Sequence, residues 1–304
     1  MDKTDVTLSM LLLMNSRTSY RDLADKLGLS VNAVHKRIQS MMEQGVIRTF
    51  ETRLNLLVTG GVIVWVFGHS EKMEMEEIRT LLQKNRNVYW MAVTGADYLL
   101  VGLYIKDLVE LDINLRDVVL DCGMKSPFIG IIPFPNVLDP GKELNQADFR
   151  ILRSLAHDSR KTVAEVAQET SLSAKTVRRR LERMETKGMI EYTINWYPDE
   201  SNDIMTFFQV FLEPGADKYA VGQSLFSKNN PEIIFYQAFS NVPDQLILVS
   251  WSPTTKELKA LRERLASEPG VAHLVPNIIY SGYIFPTWRD DLIEQGAKRV
   301  GKPL

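Results

Sequence analysis

Residues 173–183 read SAKTVRRRLER and carry five cationic side chains, Lys175, Arg178, Arg179, Arg180 and Arg183, against one acid, Glu182. If Val177, Leu181 and Met184 form the buried stripe of a helix, helical spacing leaves Ala174, Lys175, Thr176, Arg178, Arg179 and Arg183 facing outward. Such a face suits duplex DNA. Guanidinium and ammonium groups bond guanine edges or neutralise phosphates, and small Thr and Ala side chains fit a thymine methyl. Other chemistries find less support. His35, His69, His157 and His273 are scattered, with no Cys or carboxylate at ligand spacing, so no metal site is expected. Gly60-Gly61 belongs to no phosphate-binding glycine motif and reads as a turn. No catalytic residue and no cofactor is expected.

The elements that must position this face are legible around it. Asp148 is read as the cap of a helix with Phe149, Ile151, Leu152 and Leu155 at helical spacing, and Thr162 caps a short helix over 163–169. A turn at 170–172 follows; Ser173 then caps a longer helix over 174–187 that Gly188 stops. Two short helices, a turn and a third helix make a helix-turn-helix. The alternating MIEYTINW after Gly188 reads as the strand of a wing.

The same unit occurs twice. Asp5 to Ile47 lies over Asp148 to Ile190 without a gap, pairing Ser16-Arg17 with Ser159-Arg160, Val34 with Val177, Arg37 with Arg180 and Gly45 with Gly188. In the first copy Thr4 or Asp5, Ser19 and Ser30 are the expected caps. Its third helix offers Val31, Asn32, Ala33, His35 and Lys36 where the second copy is strongly basic, so weaker or differently specific contacts are expected; Asn32 has the groups to pair with adenine. Arg37 and Arg180, matched in both copies, have three readings: members of the DNA face, phosphate contacts, or braces for the wing.

The stretches LADKLGLSVNAVHKRIQSMMEQGVI and VAQETSLSAKTVRRRLERMETKGMI resemble the winged head of the Lrp/AsnC family of feast/famine transcription regulators of bacteria and archaea. The resemblance implies that each head is followed by a small βαββαβ effector and assembly domain, a RAM-like domain of ferredoxin type. The later segments follow that order. GGVIVWVFG, 75–84, NVYWMAVTG, ADYLLVGLY, 108–119 and FIGIIP come after the first head; FFQVFLEPG, 219–227, EIIFYQAFS, DQLILVSW, 254–266 and VAHLVPNIIY come after the second. The expected fold is α+β, with winged helix-turn-helix domains at 1–57 and 141–197, RAM-like domains at 58–140 and 198–285, and a tail at 286–304. The sensors are expected to form antiparallel sheets that pack together and to place both third helices in successive major grooves, about one helical turn apart. TGADYLLV resembles the family's Gly-x-x-Asp turn in relaxed spacing, which implies an amino-acid effector held at Thr94, Gly95 and Asp97. Read by themselves, these residues are ordinary turn formers. The second copy has SNVPDQLILV and lacks the glycine. Trp65, Tyr89, Trp90, Tyr98 and Phe128 fall on the strands of the first sensor and read first as core, with a ligand wall as the lesser reading.

Composition fits a globular chain of two or more domains: 304 residues, 45% apolar, with a net charge of −2 that requires any DNA-binding charge to be localised. The lone Cys122 excludes an internal disulfide, favours a reducing cytoplasm and reads as a small core residue. No signal peptide or membrane span is expected, and the expected partners are double-stranded DNA and further copies of the chain. Two other classes stay open. Siroheme decarboxylases resemble the same head-plus-sensor architecture, which implies histidines in the central sensor strands; here those strands read VYWMAVT and IIFYQAF. The third class is an interaction protein that does not bind DNA, its heads serving as scaffolds.

Overall fold

The computed structural model describes residues 1–72, 74–95, 97–106, 108–132 and 144–298. The first half runs α1 (Lys3–Met14), α2 (Tyr20–Leu27), α3 (Val31–Glu43), β1 (Ile47–Leu54), α4 (Leu56–Thr59), β2 (Val62–His69), α5 (Met75–Leu82), β3 (Val88–Thr94), β4 (Tyr98–Ile105), α6 (Leu111–Cys122) and β5 (Phe128–Ile132). The second runs α7 (Gln146–Leu155), α8 (Val163–Thr170), α9 (Ala174–Thr186), β6 (Ile190–Trp196), β7 (Ile204–Leu212), α10 (Lys218–Lys228), β8 (Ile233–Ala238), β9 (Gln245–Ser252), α11 (Thr255–Ala266), β10 (Val271–Ile284) and α12 (Trp288–Lys298). No helix among the described residues is long and apolar enough to cross a membrane.

These elements group by type rather than by half. One body gathers 8–61, 144–196 and 286–298, both heads; the other gathers 62–132 and 197–285, both sensors, with the first seven residues. The division expected at 140/141 lies outside the described residues. The segment expected as a tail instead forms α12, whose Ile293 and Ala297 enter the core of the second head beside Phe149, Leu152 and Leu155. Gly296 permits this approach, since the Phe149 ring occupies the space a side chain would need.

The sensor body is built on an eight-stranded antiparallel sheet in the order β5-β2-β4-β3-β10-β7-β9-β8. Each half contributes βαββαβ in ferredoxin-like strand order. The halves are joined edge to edge by β3 and β10, with Trp90 opposite Ile284 and Thr94 opposite Ile279. Strand alternation sends Val64 and Val66 to one face, where Ile78, Leu82, Val118 and Cys122 of the helices cover them. In the second half Leu225, Leu261 and Leu265 cover Phe208, Val210, Leu246 and Leu248 in the same way. Burial pushes the Cys122 thiol up to about 12, which keeps it protonated and unreactive.

The opposite face is aromatic and holds the two halves together. Trp65 lies 5.4 Å from Trp90, 6.2 Å from Phe207 and 5.9 Å from Phe239, and Phe67 stacks on Phe128 at 4.5 Å. Such pairs contribute about 0.5–1.5 kcal/mol each beyond the area they bury. Of the aromatics flagged in the sequence, Trp65, Trp90 and Phe128 join this cluster, while Tyr89 stacks on Tyr104 at 3.9 Å and accepts from Trp65 Nε1 at 2.8 Å. The far edges also meet. Ser240 N donates to Ile131 O at 2.7 Å, and the Asn241 amide bridges Ile129 O and Ile131 N.

Gly102 of β4 lies under Trp90 and Tyr89, whose rings fill the place of its missing side chain. Gly102→Ala should therefore overpack this face and cost about 1–3 kcal/mol in urea unfolding; an unchanged midpoint would contradict the packing described.

Candidate nucleic-acid interface

The recognition helix of the second head, α9, starts at Ser173, whose Oγ accepts from Thr176 N at 3.1 Å and lies 2.9 Å from Thr176 Oγ1. The turn before it uses Ser171 in the left-handed region, φ 53°, where the first head has Gly28 at φ 64°. Val177, Leu181 and Met184 are buried, while Ala174, Lys175, Arg178 and Arg179 are exposed. Arg183 departs from the outward placement expected of it, and Arg180, for which a wing brace was one reading, braces the start of α7 instead. Asp148, fully buried, accepts from Arg180 Nη1 at 2.8 Å and from Arg183 Nη2 at 2.7 Å. One turn apart on α9, both guanidiniums reach the same carboxylate, which without them would be an unpaired buried charge.

Asp148 is not the cap of α7. Asn145 caps α7, and Asp148 closes the reciprocal box by accepting from Asn145 N at 2.9 Å. Asn-x-x-Asp ahead of an apolar run was a readable sign of this arrangement. At α1 the expected caps Thr4 and Asp5 give way to Asp2, which exchanges side-chain to backbone bonds with Asp5 at 2.9 Å.

In the first head Ser30 caps α3 by accepting from Ala33 N at 3.1 Å, and Ser19 and Thr162 cap α2 and α8 as read from the sequence. Val31, Asn32, His35 and Lys36 are exposed; Ala33 and Arg37 are half-buried. The His35 ring lies 5.4 Å from Tyr20.

The two heads are locked to each other about a local two-fold axis. β1 and β6 pair antiparallel, with Phe50 opposite Ile194 and Glu51 opposite Thr193. Continuing the repeat equates Phe50 with Thr193 and Glu51 with Ile194, so the axis passes between these pairs and relates α3 to α9. Ser16 and Ser159, equivalent and fully buried, share a hydrogen bond at 2.6 Å. Arg17 donates to the carbonyls of Ser159 and, at 3.3 Å, Lys161; Arg160 donates back to Thr18 O at 3.1 Å. Arg160 lies 4.7 Å from the ring centres of both Tyr20 and Phe50, and burial lowers its pKa from the ordinary value. On one side α12 adds the buried Arg289, which donates to Leu54 O and to the Glu191 carboxylate.

At the proposed effector turn the structure spends the residues locally. Thr94, buried, donates to Tyr98 O at 3.0 Å, and Gly95 has φ 56° with its N–H on Ile278 O at 3.2 Å. The Asp97 carboxylate lies 2.9 Å from His69 Nδ1, and Ala96 between them lies outside the described residues. Beside this turn the Tyr98 hydroxyl accepts from Gln209 of the other sensor, and burial pushes its pKa up to about 12.

A winged helix-turn-helix DNA-binding family model matches residues 1–48 and again 144–191. Among similar proteins, an uncharacterized HTH-type transcriptional regulator of Pyrococcus horikoshii is 30% identical over 89 residues, 29% of this chain and 60% of that protein. HTH-type transcriptional regulator LrpA of the same organism is 26% identical over 103 residues, 34% of this chain and 73% of LrpA. Both heads match the winged helix-turn-helix model, and the chain is similar to HTH-type transcriptional regulators that include LrpA. A solved siroheme decarboxylase, NirDL, shares the fold across 97% of this chain and 99% of its own, with a TM-score of 0.60 at 13% identity. That likeness is one of fold alone.

The Asp148 clamp makes a stability prediction. Asp148→Ala removes the acceptor of two guanidiniums and half of a capping box, and should cost about 3 kcal/mol in urea unfolding. A loss below about 1 kcal/mol would show that Arg180 and Arg183 do not depend on it.

Proposed function

We propose that this chain is a cytoplasmic DNA-binding transcription regulator, in which α3 and α9 enter successive major grooves of one promoter site. The exposed basic face of α9, Lys175, Arg178 and Arg179, carries this reading: three cations without an ion-pair partner among the described residues, on a helix presented by a complete winged head, in a chain of slightly negative net charge. Arg178 and Arg179 have the fork that reads guanine O6 and N7, and Asn32 of α3 has the amide that reads adenine. Because the head-to-head lock lies within one polypeptide, a single chain supplies both readers. Their unequal chemistry calls for an imperfect palindrome with unlike half-sites. The reading involves no catalysis.

Mobility shift and footprinting on the organism's own promoter DNA test it. Arg178→Ala with Arg179→Ala should weaken specific binding by about 1–3 kcal/mol per base-contacting side chain, and Asn32→Ala with Lys36→Ala by less. Unchanged affinity in the first pair would remove α9 as the reader, and no binding at all would favour an interaction protein. Further association of chains is an expectation from the family that sedimentation measures directly.

Effector control is the finer part of the proposal. An amino acid would place its ammonium group on Asp97 in exchange for His69. Calorimetry against the amino acids should detect binding to the intact chain that Asp97→Ala abolishes; unchanged affinity in that variant would end the site proposal and leave DNA recognition standing.

The full-length likeness to NirDL sustains an enzymatic second reading. Against it, β3 and β8 carry no histidine, and aromatic side chains pack the face between the sensor halves. A siroheme titration followed by absorbance decides: a saturating spectral change would overturn the regulator reading's exclusion of catalysis.

A further inference from the structure

The second head holds a cavity of about 200 Å³ against α7 and α8, lined by Arg150, Arg153, Ser154, Lys161, Glu169 and Thr170. Most of its polar groups are already arranged. Lys161 Nζ donates to Ser154 O and to Glu169 Oε2, both at 2.9 Å, and Ser154 Oγ donates to Glu169 at 2.7 Å. The Lys161 and Ser154 bonds hold the Glu169 carboxyl below its ordinary range. Arg150 donates to the Thr170 carbonyl at the end of α8. Glu169 balances Lys161, so the charge left over is that of two guanidiniums one turn apart, and the exposed Arg153 side chain makes no hydrogen bond among the described residues. Like charges so placed repel unless an anion joins them.

The repeat provides an internal control. At the positions of Arg150, Arg153, Ser154 and Lys161 the first head has Thr7, Met10, Leu11 and Thr18, and it forms the same helices. The head therefore does not need these cations in order to fold.

We infer that this cavity is an anion site that takes a phosphate group. The forked guanidiniums of Arg150 and Arg153 match two phosphate oxygens, and Lys161 adds charge behind them. The site adjoins the lock between the heads, because Arg17 of the first head grips the carbonyls of Ser159 and Lys161. A phosphate that draws Lys161 away from Glu169 would act on the α7–α8 loop whose carbonyls Arg17 of the first head holds. The phosphate has two conceivable sources, a small phosphorylated metabolite or the DNA backbone, and the site stands independently of which bases α9 reads.

The test uses the full chain and inorganic phosphate as probe, by calorimetry at low ionic strength, with Arg153→Met as variant. Met is the first head's own residue at this position, so the substitution is compatible with the fold. The expected result is saturable binding at one site per chain, weakened roughly tenfold in Arg153→Met, as fits the loss of a charge-assisted bond. The salt dependence of DNA binding separates the sources. A slope reduced by about 1 in the variant assigns the phosphate to DNA, and an unchanged slope assigns it to a free anion. Failure to bind phosphate together with an unchanged slope, or equal phosphate binding by the variant, overturns the inference.

Discussion

The pairing of β1 with β6 is the constraint on which the head body depends. An isolated wing strand would present an unpaired edge, and two strands alone are marginal in water. Here each wing satisfies the other, and the contact is made specific by groups that cannot be left unpaired once buried: the Ser16 and Ser159 hydroxyls and the reciprocal bonds of Arg17 and Arg160 to backbone carbonyls. A one-residue slip would separate the serines and move every wing side chain to the wrong face. The orientation of one recognition helix relative to the other is thereby fixed inside the polypeptide. Covalent duplication frees the two copies to diverge around this preserved contact, and the faces of α3 and α9 have done so.

Divergence is also visible in how charge is used. The second head has more arginines than its reading face presents, because the buried Asp148 withdraws two of them to tie α9 to the start of α7. A helix anchored in this way keeps the exposed Arg178 and Arg179 at a defined angle, since they share its backbone. The same head is further buttressed by α12, through apolar contact at Ile293 and Ala297 and through Arg289 at the wing. The head with the stronger cationic face is thus also the more firmly built.

In the sensor body two different interactions join the halves. The β3–β10 ladder supplies directional backbone bonds along one edge, and the aromatic face supplies area without direction. The ladder sets register and the rings set closeness, which is why glycines occur where rings need room, at Gly102 and Gly130.

Much of this was readable in the chain alone. The repeat, the helices α2, α3, α8 and α9 with their Ser and Thr caps, the buried stripe of Val177, Leu181 and Met184, and the βαββαβ order of each sensor follow from spacing and capping within a few residues. Those are local properties that a one-dimensional pattern records. The partner of each buried group was not readable. Periodicity shows which face of α9 turns inward but not that a carboxylate 32 residues upstream awaits Arg180. It likewise does not show that Arg289 reaches Leu54 across 235 residues, or that β3 continues into β10. Arg183 reads as exposed for the same reason: a charged side chain looks outward until the fold brings an opposite charge within reach, as Asp148 is here, and only the folding of distant segments into one body decides where that happens.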